Sequence, residues 1–257
     1  AVMEGYFEQV RQIPRSVHKT EGFLMESAPP IFCAGDVFDK WNSSPELINF
    51  ALRVIPPMWS IPGQHDLPYH RYEDRKKSAY WTLVEADRIR DLGSVVTTIF
   101  NELRVHAFPY GFDIEPLETP HDMVIDVALI HKYIWRKGAC YPDAPPELRL
   151  ASQYKVLKGY DIAFYGDNHI PFDYEPEEGC KVYNIGSLMR RKIDQIDHRP
   201  SVCLLYSDKT VKRHYLDVSK DKFIDVRDLV GEDPENDDGK LSAFVDDMLS
   251  LVDTAVN

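Results

Sequence analysis

Cysteine is scarce in this sequence, and its cysteines are far apart, with no CxxC pair. The four are Cys33, Cys140, Cys180 and Cys203. Disulfide-rich domains need many cysteines and zinc modules need closely spaced ones, so the sequence argues against both classes. We interpret the four residues as the free thiols of an intracellular, cytoplasmic protein.

Long apolar runs are also missing. No run approaches the roughly 20 apolar residues that cross a bilayer, and no basic segment followed by an apolar one indicates a signal peptide. We therefore expect no contact with a membrane. The sequence begins with Ala1 rather than methionine, and we expect the natural start to lie upstream.

The sequence also lacks an excess of positive charge, since its formal net charge is −12. Such a charge argues against binding nucleic acid by bulk attraction. Eleven acidic and four basic residues fall between Ser219 and Asn257, which leaves only −5 for the rest of the chain. A local basic groove is compatible with that distribution.

The length of 257 residues suits one large domain with a small appendage. We predict a main domain over 1–218, followed over 219–257 by an acidic linker and an amphipathic helix. Helical and strand patterns alternate in the first half and hairpins follow, which predicts a mixed α/β sandwich. Predicted helices cover 1–17 with a stop at Pro14, 44–54, 80–92 and 146–157. Predicted strands cover 31–35, 58–63, 94–100, 103–108, 123–130, 162–165, 181–185, 201–206 and 210–216.

Four of the predicted strands end in loops that carry oxygen or imidazole donors. The donors are Asp36 and Asp39, then Gln64, His65 and Asp66, then His131, then Asp167 and His169. Loops at strand ends are common sites of chemistry in α/β proteins because the strand fixes the backbone. Each signal alone is weak, but together the four favour a metal centre.

The ordered set resembles the motifs of the calcineurin-like metallophosphoesterases. Their pattern is Gly-Asp-x-x-Asp, Gly-Asn-His-Asp, a lone His and Gly-His-x-His; this chain has Gly-Asp-Val-Phe-Asp at 35–39, Gly-Gln-His-Asp at 63–66, His131 and Gly-Asp-Asn-His at 166–169. The sequence Asn-Ile-Gly-Ser-Leu at 184–188 is similar to the Asn-Pro-Gly-Ser-Leu of the phosphodiesterase branch, which includes SbcD-like DNA repair nucleases. The resemblance covers about 30–206.

The resemblance implies a four-layer αββα sandwich of two mixed β-sheets flanked by helices, and a centre of two divalent metal ions. Asp36 would bridge the ions, His169 would bind the first, and Gln64, His131 and Asp167 would bind the second. Asp167 replaces a histidine of the family pattern by a hard oxygen donor, which favours Mn²⁺ or Mg²⁺ over zinc. Gln64 replaces an asparagine and is one methylene longer.

The same resemblance implies the catalytic residues. His65 would be the general acid, and Asp66 would orient its ring. The basic run Met189-Arg-Arg-Lys192 follows Gly186-Ser187 and should lie beside the metal face, so we expect Arg190 and Arg191 to contact substrate phosphate. The family also carries an Asp-x-His on its first strand, which nothing before Asp36 supplies: either the motif lies upstream of Ala1, or the protein is a degenerate relative without catalysis.

We therefore expect a phosphodiester hydrolase, a DNA nuclease of the SbcD-like type that dimerises and works with an ATPase partner. A small-molecule or cyclic-nucleotide phosphodiesterase is the alternative enzyme. A scaffold protein that keeps the fold without activity is the alternative of another class.

Overall fold

The computed structural model describes residues 2–21, 29–94, 96–99, 103–120, 123–190, 195 and 197–221. Residues 1–220 form one compact unit and 221–257 form a second. The predicted C-terminal helix belongs to the second unit and lies outside the described residues. In the described part of the chain, no helix combines the length and the apolar character that a membrane span requires.

Four α-helices and several short 3-10 segments are described. The helices are α1 (Val2–Glu21), α2 (Pro45–Val54), α3 (Ala79–Glu85) and α4 (Leu150–Gln153). The 3-10 segments are Gln64–Asp66, Pro68–His70, Tyr72–Lys77, Pro146–Leu148 and Tyr154–Leu157. Helix α2 begins where the sequence predicts, because the Ser44 hydroxyl accepts a hydrogen bond from the Leu47 amide at 3.3 Å.

Eleven strands form three sheets within the described residues. The strands are β1 (Phe32–Cys33), β2 (Met58–Ser60), β3 (Ile89–Asp91), β4 (Val96–Ile99), β5 (Leu103–Phe108), β6 (Ile125–His131), β7 (Ile162–Gly166), β8 (Phe172–Tyr174), β9 (Lys181–Asn184), β10 (Ser201–Leu205) and β11 (Val211–Tyr215). β1, β2 and β3 form a parallel sheet. The order β4-β5-β6-β7-β9-β8 forms a mixed sheet, in which β5, β6, β7 and β9 run parallel. β10 and β11 form an antiparallel hairpin.

The buried clusters show the layers. Ile61 and Leu92 pack with Val105 and Leu129, so the three-stranded sheet faces the six-stranded sheet. Helices α2 and α3 cover the other face of the three-stranded sheet. The outer face of the six-stranded sheet packs against α4 and the Tyr154–Leu157 segment. The predicted mixed α/β fold, with sheets flanked by helices, is confirmed.

All seven residues of β6 are buried, as its near-continuous apolar sequence predicts for a central parallel strand. Its register beside β7 places His131 opposite Gly166. The carboxyl ends of these two parallel strands therefore bring His131 and Asp167 to the same edge of the sheet.

Three local predictions were wrong. Helix α1 continues past Pro14 to Glu21. The helix predicted over 80–92 ends at Glu85; Asp87 takes a positive φ of 56°, and the chain returns as β3 beside β2. The predicted helix over 146–157 is divided into one short α-helix between two 3-10 segments. In the second case, pairing with β2 prevailed over local helix propensity.

Candidate metal centre

Donor atoms of Asp36, His131 and Asp167 lie within 4.8 Å of one another. Asp36 follows β1, His131 ends β6 and Asp167 follows β7. Ligands on opposite sides of one ion, at bond lengths of about 2.0–2.6 Å, are about 4–5 Å apart. The three side chains therefore have the spacing of ligands to a single cation.

The hydrogen bonds around His131 show what such a cation would contact. The buried ring donates from Nδ1 to the carbonyl oxygen of Ala34. Its Nε2 lies 2.6 Å from Oε1 of Gln64 and 3.4 Å from Oδ2 of Asp36. Gln64 donates from Nε2 to Asp167 at 2.8 Å, which turns its carbonyl oxygen toward the ring.

This arrangement fits a divalent cation. The bond to Ala34 fixes the tautomer that leaves Nε2 as a ligand, and the carbonyl of Gln64 and the carboxylate of Asp36 face it with oxygen lone pairs. One imidazole, two carboxylates and one amide carbonyl form an oxygen-rich set, which suits Mn²⁺ or Mg²⁺.

Protons compete with a cation at His131. Burial lowers the pKa of His131, but the hydrogen bond and charge of Asp36 outweigh burial and raise the pKa above its ordinary value. A protonated ring would satisfy the oxygens that face it. A divalent ion bound at Nε2 would displace that proton, so affinity for metal is expected to rise with pH.

Two glycines allow the loops that carry the candidate metal ligands to pack against one another. A Cβ on Gly63 would lie 2.6 Å from the Asp36 amide, and a Cβ on Gly166 would lie 3.0 Å from Nδ1 of His131. Both positions therefore exclude a side chain. Asp36 and Asp167 take positive φ values of 54° and 81°, a conformation that aspartate tolerates better than most residues.

Asp66 holds two of the loops together. It is fully buried, and its carboxylate accepts hydrogen bonds from the amides of Phe38 at 3.0 Å, Gly63 at 3.1 Å and Val37 at 3.2 Å. Burial and the charge of Asp36 raise the pKa of Asp66 to about 7, against the lowering effect of the three amides. A cation that neutralised Asp36 would favour the ionised form.

The contacts of Asp66 in the structure are with the backbone and not with the His65 ring, so its predicted role in orienting that ring stays a prediction. Its oxygens bind backbone amides, and no hydrogen bond joins it to the His65 ring among the described residues. The side chain of His65 is exposed, while its amide donates to Oδ1 of Asp36 at 2.9 Å. His65 is therefore fixed through its backbone beside the candidate metal ligands.

The remaining predicted residues are not among the clustered donors. His169 follows Asp167 in the same loop and is exposed, outside the group of three clustered donors. Arg190 is half-buried, and Arg191 lies outside the described residues.

Two asparagines that sequence reasoning did not select shape this loop. Asn168 is buried, donates to the carbonyls of Ile134 at 2.8 Å and Ala139 at 3.0 Å, and accepts from the Ile170 amide at 3.0 Å. Asn184 is also buried and donates to the carbonyls of Asn168 and Ile170, each at 2.8 Å. Both asparagines lie inside motifs of the sequence, Gly-Asp-Asn-His and Asn-Ile-Gly-Ser-Leu, and this position is the signal that could have identified them.

The sequence comparison bears directly on this centre. The family model for the calcineurin-like phosphoesterases matches residues 9–171, more than half of the chain, and includes all four donor loops. The chain belongs to the calcineurin-like phosphoesterase family. It is accordingly a metal-dependent hydrolase of phosphoesters, and the cluster around His131 is its candidate metal site.

Other comparisons are more distant. No curated protein sequence matches this calcineurin-like phosphoesterase. The crystal structure of TT1561 of Thermus thermophilus shares 15% sequence identity and a TM-score of 0.49, with 82% of this chain and 92% of that chain covered. Another crystal structure shares 13% identity and a TM-score of 0.43, with 66% and 70% covered. The family assignment rests on the sequence match.

Proposed function

We propose that this calcineurin-like phosphoesterase is a phosphodiesterase that cleaves DNA, a nuclease of the SbcD-like type. One observation carries the proposal: four side chains lie close together at one sheet edge, beside the exposed His65. They are Asp36, Gln64, His131 and Asp167. A hydrolase of charged diesters needs both features, because one binds cations and the other can supply a proton to the leaving oxygen.

Two divalent ions, with Mn²⁺ as the proposed metal, would be held by these four side chains together with His169. Bound divalent ions polarise phosphoryl oxygens and lower the pKa of water. The protein side chains supply the rest. Asp36 positions the His65 backbone through its amide, and the exposed His65 ring is free to donate a proton to the leaving oxygen.

The choice of DNA as substrate is supported by the Asn-Ile-Gly-Ser-Leu segment. The Asn184 amide group binds the backbone on both sides of His169, and the Ser187 amide donates to the His169 carbonyl at 3.2 Å. This segment leads within three residues to Arg190, which with Arg191 we propose as a phosphate contact along the DNA backbone. A homodimer and an ATPase partner, as in the SbcD-like nucleases that the motifs resemble, belong to the same proposal.

The test uses purified protein with Mn²⁺ and three substrates: single-stranded DNA, duplex DNA and bis-p-nitrophenyl phosphate. Asp36→Asn is compared with Asp143→Asn, since both aspartates have positive φ, 54° and 59°, and Asp143 is exposed outside the metal centre. We expect DNA cleavage that Asp36→Asn and His65→Ala abolish and Asp143→Asn leaves unchanged.

The other outcomes identify the alternatives. Hydrolysis of only the small diester would identify a small-molecule or cyclic-nucleotide phosphodiesterase. A protein that binds Mn²⁺ or DNA without hydrolysing any of the three substrates would be the inactive scaffold, and the nuclease proposal would be wrong.

A further inference from the structure

Large apolar side chains are exposed on the loops around the candidate metal centre. Of the seven that are exposed in the described part of the chain, four follow strands whose carboxyl ends lie at the metal edge of the sheets. They are Tyr69 after β2, Tyr141 after β6, Ile170 after β7 and Met189 after β9. Exposed apolar side chains that collect in one region of a surface indicate a site where a ligand binds.

Tyr69 is the most exposed aromatic residue among those described, at 77%. The centre of its ring lies 5.6 Å from that of Trp41, and the two ring planes are inclined at 47°. We call Trp41 and Tyr69 the first ring pair. Trp41 follows Asp36 by five residues and Tyr69 follows His65 by four. The pair therefore joins the same two loops that meet where the His65 amide donates to Asp36.

The backbone holds Tyr69 in its exposed position. Tyr69 and His70 both take positive φ values, 53° and 58°, a conformation that is unfavourable for residues other than glycine. The amides of His70 and Arg71 donate to the carbonyls of the buried Leu67 at 3.1 Å and the buried Pro68 at 3.0 Å. Backbone that its surroundings hold in an unfavourable conformation is concentrated at functional sites. Here it presents an aromatic ring to solvent, which burial of apolar surface on folding does not favour.

A second ring pair, Tyr133 and Tyr141, lies on the loop after β6. Tyr133 follows His131 by two residues, and the centre of its ring lies 5.1 Å from that of Tyr141, with the planes inclined at 48°. The Tyr141 amide donates to the Tyr133 hydroxyl at 3.4 Å. Asn168, on the loop after β7, donates to the carbonyl of Ala139 at 3.0 Å. That bond ties the loop of the second ring pair to the metal edge.

The two ring pairs belong to different sheets. The first follows β1 and β2 of the three-stranded sheet, and the second follows β6 of the six-stranded sheet. The metal ligands come from the same two sheets: Asp36 and Gln64 follow β1 and β2, whereas His131 ends β6 and Asp167 follows β7. A ligand at the metal centre therefore has one ring pair beside it on each sheet. In both pairs the inclined planes leave the exposed ring open to a flat group.

The charges beside the rings favour a nucleotide over a purely apolar ligand. A cationic residue directly precedes one ring of each pair, namely Lys40 before Trp41 and Lys132 before Tyr133. Proteins that bind single-stranded nucleic acid combine positive charges, which follow the phosphates, with aromatic rings on which the bases stack. Bases inside a duplex are already stacked and paired, so only unpaired bases are available to such rings.

We propose that the two ring pairs stack on unpaired bases on either side of the DNA phosphate at the metal centre. The inference rests on the nuclease function proposed above, and it specifies a substrate whose bases are single-stranded around the cleaved bond. Tyr69 and Tyr141 provide the exposed rings. Trp41 and Tyr133 hold them in place through the ring contacts.

Binding of short oligonucleotides tests the inference without relying on hydrolysis. Fluorescence anisotropy in EDTA compares a thymidine oligonucleotide with an abasic oligonucleotide of the same length and charge. We expect the wild type to bind the thymidine oligonucleotide at least about tenfold more tightly, a factor that corresponds to about 1.4 kcal/mol and is typical of one stacked base. A duplex of the same length should compete at least about tenfold less well than the single strand.

Substitutions then identify the rings. Tyr69→Ala and Tyr141→Ala should each weaken binding of the thymidine oligonucleotide by about tenfold and leave binding of the abasic one unchanged. Tyr69→Phe keeps the ring and should bind both oligonucleotides as the wild type does. Met123→Ala is the matched control for loss of an exposed apolar side chain, because Met123 is 83% exposed and lies at the opposite end of β6 from His131.

Three results would overturn the inference. The first is equal wild-type affinity for the two oligonucleotides, or no measurable binding of either. The second is that Tyr69→Ala or Tyr141→Ala binds the thymidine oligonucleotide as Met123→Ala does. The third is a duplex that competes as well as the single strand.

Failure of the nuclease proposal is distinguishable from failure of this inference. Base-dependent binding that both alanine variants lose, in a protein that cleaves no DNA, would support the role of the ring pairs and refute the nuclease. DNA cleavage by a wild type with equal affinity for the two oligonucleotides would support the nuclease and refute the role of the ring pairs.

Discussion

Replacing Asp66 by alanine separates a structural role from a catalytic one. The substitution would leave the buried amides of Val37, Phe38 and Gly63 without their acceptor. Each buried donor left unpaired costs about 1–3 kcal/mol, so Asp66→Ala is expected to lower the free energy of unfolding by about 3–9 kcal/mol in total. Whole domains are stable by only about 5–15 kcal/mol, so we expect most of the stability to be lost.

Asp66→Asn should lower the free energy of unfolding by a smaller amount than Asp66→Ala. Asparagine retains one acceptor oxygen, so one or two of the three bonds are lost, at about 1–3 kcal/mol each. His65→Ala provides the control, because its exposed side chain makes no described hydrogen bond and surface substitutions stay within about 0.5 kcal/mol. We expect the free energy of unfolding to be highest in the wild type and His65→Ala, lower in Asp66→Asn and lowest in Asp66→Ala.

Urea denaturation followed by circular dichroism measures these differences, and hydrolysis of bis-p-nitrophenyl phosphate is measured in the same preparations. One result would refute the reasoning: Asp66→Ala that keeps the urea midpoint of the wild type but loses activity as His65→Ala does. Asp66 would then act on the His65 ring, as the family resemblance implies, and the backbone bonds would carry little of the stability.

Three further predictions concern packing, pH and metal choice. Gly63→Ala should lower the free energy of unfolding by about 1–3 kcal/mol through overpacking, and it should weaken Mn²⁺ binding in titration calorimetry. Gly5 lies in open space on α1, so Gly5→Ala should raise the free energy of unfolding by about 0.5–1 kcal/mol. Equal effects of the two substitutions would contradict the packing argument. Burial acts to raise the pKa of Asp126, but hydrogen bonds from Arg104 and His106 outweigh it and lower the pKa. The urea midpoint of the wild type should therefore fall as pH drops below about 4, and the midpoint of Asp126→Asn should fall less. Identical dependence of the two midpoints on pH would refute this. Asp167→His should shift the metal preference of hydrolysis from Mn²⁺ toward Zn²⁺, and unchanged preference would show that Asp167 is not a ligand.

The sign of the pH effect follows from the direction of the shift. A carboxyl group whose pKa is lowered by folding binds fewer protons in the folded state than in the unfolded state. Its contribution is complete above the unfolded pKa and is lost as pH falls through the folded pKa. Asp126 is 1% exposed and bonded to Arg104 at 2.7 Å through each oxygen, so its contribution is large enough to measure.

Local sequence was sufficient where one interaction decides the outcome. The Ser44 cap and Pro45 start α2, and the apolar sequence of β6 gives a strand buried on both faces. It was insufficient over 80–92, where helical spacing continues to Leu92 but the segment after Asp87 pairs with β2. Pairing of that kind depends on a strand about 30 residues away, which no local pattern contains.

For the candidate centre, the sequence by itself determined which side chains are available and in what order, and the resemblance named the family. Only the tertiary structure decided which groups each side chain contacts. It turns the Gln64 carbonyl toward His131, fixes the ring through the Ala34 carbonyl, and gives the oxygens of Asp66 to backbone amides. The physical reason is that these hydrogen bonds join residues 28 to 103 positions apart and depend on how the sheets pack, whereas the spacing of motifs along the sequence does not specify that packing.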